Sequence, residues 1–258
     1  METLTDCEFV QYSRQIMLPE VEECGQLKLK SSSVLIIGMG GLGSAASSYL
    51  AASGVGTIVI ADHDEVDVSN LQRQTIYRYG DVNSEKVLAA KKQLEQINGN
   101  IRIRTVNKQL SGDQLSLEVS LADVVLDCTD NLKSRYAINE ACISNKKVLI
   151  SGAAIGWKGQ LMTFDFTKQM KGCYGCLFPK SSEASESINC STYGIIGPVV
   201  GIIGNMQALE AIKVISNITP LHLGNFYQFD GISNQWITLQ IQQDSECPTC
   251  TDEHCDKE

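Results

Sequence analysis

A chain of 258 residues with 43% hydrophobic and 20% charged residues has the makeup of an ordinary globular protein, long enough for one substantial core. Its net charge of −9 excludes the cationic surface that nonspecific nucleic-acid binding needs, and its longest apolar run is too short and too rich in glycine to cross a bilayer. Neither a nucleic-acid nor a membrane partner is therefore expected, and the acidic, polar opening residues, which do not resemble a leader, point to the cytoplasm. In chain order, residues 34–37 form an apolar strand that opens into glycines, followed by a helical stretch at 44–52. A second buried strand at 57–61 ends on Asp62, and 84–97 carries Val87, Leu88, Leu94 and Ile97 on one helical face. Strands are predicted at 101–106, 124–126 and 148–150, with a helix at 133–144 between the last two. Such alternation predicts an α/β fold, a Rossmann-like, mostly parallel sheet with helices on both faces.

The second half changes character. Residues 160–166 alternate as a strand does, and 198–216 read as a long helix with Pro198 at its start. Residues 225–230 and 235–241, joined by Gly231-Ile232-Ser233-Asn234, form an antiparallel hairpin that extends the sheet. The serine-rich stretch 180–191 is a polar surface loop, and 252–258 is a frayed tail.

Gly38-Met39-Gly40-Gly41-Leu42-Gly43 lies between a strand and a helix, with Asp62 about 20 residues on. Glycines let backbone approach a phosphate, and the helix start supplies N–H donors, while Asp62 can accept both hydrogen bonds of a ribose diol. That pattern alone fits an NAD(P)-dependent dehydrogenase equally well. Ser69-Asn70-Leu71-Gln72-Arg73-Gln74, Lys86 and Asp127-Cys128-Thr129-Asp130-Asn131 shift the balance. Two cations and a carboxylate beside a glycine loop suit a triphosphate with Mg²⁺ better than a dinucleotide. None of the three histidines sits where a hydride-transfer acid or base would.

Of ten cysteines, Cys173/Cys176 and Cys247/Cys250 form two CxxC pairs. Four thiolates so paired are the pattern of structural Zn²⁺, with no position left for water. Redox chemistry at either pair is the competing reading. Cys190 ends the polar loop just before the helix that Pro198 opens, where a thiolate gains nucleophilicity. An exposed thiol without an essential role is the alternative.

Together with Tyr12-Ser13-Arg14-Gln15-Ile16, these motifs resemble the ThiF/MoeB/HesA family of adenylyltransferases, relatives of the ubiquitin-activating enzymes, over nearly the whole chain. Asn189-Cys190-Ser191-Thr192, Gly197-Pro198-Val199-Val200-Gly201 and Gln207-Ala208-Leu209-Glu210-Ala211-Ile212-Lys213 place the resemblance nearer the thiamine-thiazole branch than the molybdopterin branch. The resemblance implies one domain over 1–258, with a nucleotide-binding half at 1–152 and a carrier-binding, zinc-binding half at 153–258. It implies ATP-dependent adenylation of the C-terminal glycine carboxylate of a small ThiS-like sulfur-carrier protein, later sulfurated by a sulfur donor protein. The alternative within the family is the small subunit of molybdopterin synthase. By the same resemblance Gly38, Gly40, Gly41, Gly43, Asp62, Asn70 and Arg135 bind nucleotide, and Arg14, Arg73 and Lys86 neutralise phosphates. Arg14 is expected to act across a homodimer interface, Asp130 to hold Mg²⁺, and Cys190 to form a covalent link to the carrier. A noncatalytic scaffold, the remaining alternative, has no reason to keep Arg14, Asn70, Arg73, Lys86 and Asp130 together.

Overall fold

The computed structural model describes residues 3–168, 172–180, 194–218 and 223–251. Eight strands make one sheet: β1 (Ser33–Ile37), β2 (Thr57–Ala61), β3 (Arg102–Val106), β4 (Val124–Asp127), β5 (Val148–Ile155), β6 (Lys158–Asp165), β7 (Asn225–Asp230) and β8 (Gln235–Gln240). Their order is β3-β2-β1-β4-β5-β6-β7-β8. The first five pair in parallel and the last three continue antiparallel. Strands β1, β2 and β4 are near-continuous apolar runs rich in Val, Ile and Leu because both of their faces are covered.

The helices among the described residues are α1 (Asp6–Gln11), α2 (Ser13–Ile16), α3 (Glu22–Ser31), α4 (Gly41–Ala52), α5 (Lys86–Ile97), α6 (Gly112–Leu121), α7 (Leu132–Ser144), α8 (Tyr174–Leu177) and α9 (Gly197–Ser216). Leu29, Leu50, Leu94 and Ile203, from α3, α4, α5 and α9, share a core on one face of the sheet. Val119, Ile138 and Cys142, from α6 and α7, join Phe226 and three of the CxxC cysteines on the other.

By length and composition α9 could cross a membrane. It packs instead along α4 and the sheet, burying Val199, Val200, Ile203, Ala208 and Ala211. Gly204 permits the close crossing, since a Cβ there would lie 2.5 Å from the Leu42 carbonyl oxygen.

The expected strands and helices are present, with two kinds of difference. Helices α1, α2, α3, α6 and α8 were not predicted, and β5 runs five residues beyond the predicted end at 150. The extension passes through Gly152-Ala153-Ala154, residues that carry little strand signal. Gly152 is required because a Cβ there would lie 2.5 Å from the side chain of Gln207 on α9. The residue-152 boundary between halves therefore falls inside one continuous strand. Most of the 180–191 loop and all of the 252–258 tail lie outside the described residues.

Candidate active site

Ile37, Ala61 and Asp127 stand side by side at the carboxyl ends of β1, β2 and β4, with Ser151 of β5 in register beside Asp127. Strand order reverses between β1 and β4, the place where open α/β sheets leave a ligand crevice. A cavity of about 770 Å³ opens there, within the size range of small-molecule sites. It is lined by Gly38, Gly40, Gly41, Asp62, Asn70, Arg73, Lys86, Asp130 and Arg135, nine of the residues singled out in the sequence.

The glycine loop is held from both sides. Gly38 turns with φ of +95°, close under the Cys128 carbonyl. The Met39 N–H donates to Asp62 Oδ2 at 2.6 Å, and the Tyr77 hydroxyl donates to the Met39 carbonyl at 2.7 Å. Burial, aided by the nearby Asp62 charge, pushes the Tyr77 phenol well up, so it stays a donor. Gly43 and Gly41 serve packing: a Cβ on the first would lie 2.0 Å from the Gly38 carbonyl oxygen, and on the second 2.4 Å from Val200. Gly40, the residue capping α4, is different. The nearest atom to a Cβ there is Gln74 Nε2 at 3.9 Å, so the protein leaves open the space above the start of a 12-residue helix. A phosphate fits that cradle, facing free N–H groups and the positive end of the dipole.

Asp67 caps the 3₁₀ turn Val68–Asn70, accepting from the Ser69 N–H at 2.7 Å. This turn presents Asn70 to the cavity and anchors Arg73, whose Nη1 donates to the Ser69 carbonyl at 3.0 Å. Lys86 begins α5 with its ammonium almost fully buried, 2.8 Å from Asp64 Oδ2. Burial raises the Asp64 carboxyl, but the Lys86 hydrogen bond and charge outweigh this and hold it below the ordinary carboxylate range.

On the opposite lip, Asp127 is buried and receives Thr129 N at 3.0 Å, Thr129 Oγ1 at 2.6 Å, Ser151 Oγ at 2.8 Å and Arg135 Nη1 at 3.4 Å. The other Arg135 amine donates to the Thr129 carbonyl, so the guanidinium, expected to bind nucleotide, turns inward to brace the loop that carries Asp130. Gln207 braces the same strand end from α9: its Nε2 donates to the Asp127 carbonyl at 2.8 Å and the Ile150 carbonyl at 3.1 Å. The buried Cys128 thiol, pushed well up by burial and then by the Asp127 charge, remains protonated and points to Gln207 Oε1 at 3.4 Å. Asp130 itself is exposed on the cavity rim, its Oδ1 3.5 Å from Asn131 Nδ2. Free of a strong partner among the described residues, this carboxylate is suited to a hard cation such as Mg²⁺.

Arg14 is not brought to this cavity. Its neighbour Gln15 donates to the Ser53 carbonyl at 3.2 Å, and Tyr12 accepts from Asn98 at 2.8 Å. Those partners cap the C-terminal ends of α4 and α5, whose N-terminal ends form the site. At 1.5 Å per residue, the 12 residues of α4 set its ends about 18 Å apart, and Arg14 follows Tyr12 and precedes Gln15 at the end remote from the glycine loop. Cys190 lies outside the described residues.

The two CxxC pairs converge, although 70 residues separate Cys176 from Cys247 only through the chain. Sγ–Sγ distances are 3.7 Å for Cys173–Cys247, 3.9 Å for Cys173–Cys176 and 3.4 Å for Cys176–Cys250. Four thiolates about 2.3 Å from one tetrahedral zinc stand about 3.8 Å apart, whereas a disulfide needs about 2.05 Å. The Asp244 N–H donates to Cys176 Sγ at 3.4 Å, a backbone donor facing a ligand sulfur. The cluster therefore fits Zn²⁺ and favours that reading over redox chemistry. Between Cys173 and Phe178 the chain forms α8, which sends Tyr174 and Phe178 into the cavity wall.

Sequence reasoning missed Asp64 and Ser151, and it gave Gln207 no role beyond a motif of the resemblance. Asp64 had a signal, its spacing from Asp62 just after β2.

The profile of the ThiF family matches residues 12–249. The chain is 45% identical to the sulfur carrier protein ThiS adenylyltransferase of Escherichia coli (strain K12), over 98% of this chain and 99% of that one. It is 39% identical to the molybdopterin-synthase adenylyltransferase of the same organism, over 97% and 99% of the two chains. A crystal structure of E. coli MccB with succinimide superposes with a TM-score of 0.79 at 23% identity, covering 94% of this chain and 74% of that one. At that identity the structural likeness speaks for the fold.

Proposed function

Because the chain belongs to the ThiF family, we propose that it is an ATP-dependent adenylyltransferase that activates the C-terminal carboxylate of a ThiS-like sulfur-carrier protein for thiazole formation. The observation that carries this reading is the convergence of an open glycine cradle, Asn70, Arg73, Lys86 and Asp130 in one crevice. The higher identity to the ThiS-directed relative, 45% against 39%, favours a thiazole-pathway carrier over the molybdopterin-type one.

In this reaction a carboxylate oxygen of the carrier attacks the α-phosphorus of ATP. The bond from that phosphorus to the bridging oxygen breaks, and pyrophosphate leaves with the electron pair. A carboxylate is ionised at neutral pH, so the site needs no general base; it must align the reactants and disperse negative charge. The Gly40–Gly41 backbone cradles phosphate, Asp62 accepts from the ribose hydroxyls, and Asn70 orients the chain of phosphates. Arg73 and Lys86 neutralise the charge that moves onto pyrophosphate. Asp130 would hold Mg²⁺, which would supply positive charge to offset that of the phosphates. Arg14, a helix length from its own cavity, would serve the site of a second copy, making the working unit a homodimer in the cytoplasm. Zn²⁺ on Cys173, Cys176, Cys247 and Cys250 would pin the C-terminal segment to the wall of the site. Cys190 would attack the adenylated carrier carboxyl, breaking its bond to AMP, which leaves with the electron pair, and forming the covalent carrier–enzyme link; a sulfur donor protein would complete the cycle.

The test is ATP–pyrophosphate exchange with a ThiS-type and a molybdopterin-type carrier offered separately. Exchange is expected with the first, and its loss in a folded Arg73→Ala variant. Exchange with only the second carrier moves the chain to the molybdenum pathway, and exchange with neither refutes adenylation.

A further inference from the structure

Lys86 and Asp64 are unequal partners. The Lys86 side chain is 7% exposed and the Asp64 side chain 53% exposed, with 2.8 Å between Nζ and Oδ2. A buried ammonium left without a counter-charge is strongly unfavourable, whereas a carboxylate that already faces water can rehydrate cheaply. The backbone builds this pair deliberately. Asp64 N donates to Asp62 Oδ1 at 2.9 Å, and Lys86 N donates to the Asp64 carbonyl at 2.9 Å. The connection from β2 and the first turn of α5 are thus tied together at the residue that supplies the countercharge. Both side chains line the nucleotide crevice.

We infer that Asp64 is a placeholder counter-ion, which neutralises Lys86 in the nucleotide-free protein and yields it to the phosphates when ATP binds. This rests on the adenylylation reading above and adds a function to a residue that contacts no reacting atom. Phosphate must compete with Asp64 for Lys86, so only a ligand carrying enough negative charge wins the ammonium. When pyrophosphate departs, Asp64 recaptures Lys86 and its charge is never left bare. Asp64 is in this sense a positioning residue that trades ATP affinity for a stable empty site.

The test uses the full chain without carrier, titrating ATP with Mg²⁺ by calorimetry and following thermal unfolding with and without nucleotide. Asp64→Asn is expected to melt lower than wild type when empty, yet to bind ATP with a Kd about tenfold lower. The rise in Tm on saturation with ATP should accordingly exceed that of wild type by about 4 °C. Asp64→Glu, which restores the charge, should return both readings towards wild type, and in a Lys86→Met background Asp64→Asn should change neither. An Asp64→Asn protein that binds ATP no tighter than wild type, or that loses equal stability empty and loaded, overturns the placeholder role. Failure of wild type to bind ATP would instead overturn the adenylylation reading on which it rests.

Discussion

Asp127→Asn tests whether the buried network beneath the Asp130 loop supports the site. Asp127 is 1% exposed and Arg135 7% exposed at the side chain, 3.4 Å apart. The amide keeps one oxygen for Thr129 but loses the charge that faces Arg135 and one acceptor for Ser151. Removing one member of a buried pair costs about 3–5 kcal/mol, and the long contact here points to the low end, about 3 kcal/mol. For a chain of this size that corresponds to a fall in Tm of roughly 8 °C. Urea unfolding should show the loss as a lower midpoint with an unchanged slope. Because Arg135 also holds the Thr129 carbonyl, the concentration of Mg²⁺ needed for half-maximal pyrophosphate exchange should rise in the same variant. A stability loss below about 1 kcal/mol, the worth of a single neutral hydrogen bond, would refute the network's role.

Gly40 and Gly43 should separate ligand space from packing space. Gly40→Ala is expected to fold with a near-native Tm and to lose ATP affinity, whereas Gly43→Ala, facing the Gly38 carbonyl oxygen at 2.0 Å, should lose the native near-UV spectrum. Equal stability of the two variants would contradict that division. Zinc analysis of the purified chain should find one equivalent, and its removal by chelator should lower the Tm and alter the fluorescence of Tyr174, which lies in the wall between cluster and crevice. Metal-free protein of unchanged Tm would refute the structural role.

Much of this architecture was legible because parallel strands buried on both faces are written as runs such as Val34-Leu35-Ile36-Ile37, and the glycine loop announces its turn. The Gly231–Asn234 turn likewise marked the hairpin of β7 and β8, with Asn234 at a positive φ of 56°. What stayed hidden depended on partners distant in the chain. Arg135 reads from sequence only as a nucleotide ligand, and its bonds to Asp127, Ser151 and Thr129 run to other stretches of chain that the sequence does not display beside it. The last residues of β5 carry little strand signal because Gly152 is small for the sake of Gln207, 55 positions later. Helix α6 escaped because Leu115, Glu118 and Val119 alone turn inward, too few to show a period against its exposed leucines.

The passage of β5 from a parallel neighbour on one side to an antiparallel neighbour on the other means that the parallel and antiparallel parts of the sheet share one backbone ladder. A hinge between them would have to break strand pairing, so the enzyme cannot bring its two substrates together by closing one lobe on another. ATP and the carrier tail must instead meet on a surface whose spacing is already set. The sheet acts as a fixed bench with both vices bolted to it, and adjustment during turnover falls to the connections at its edge.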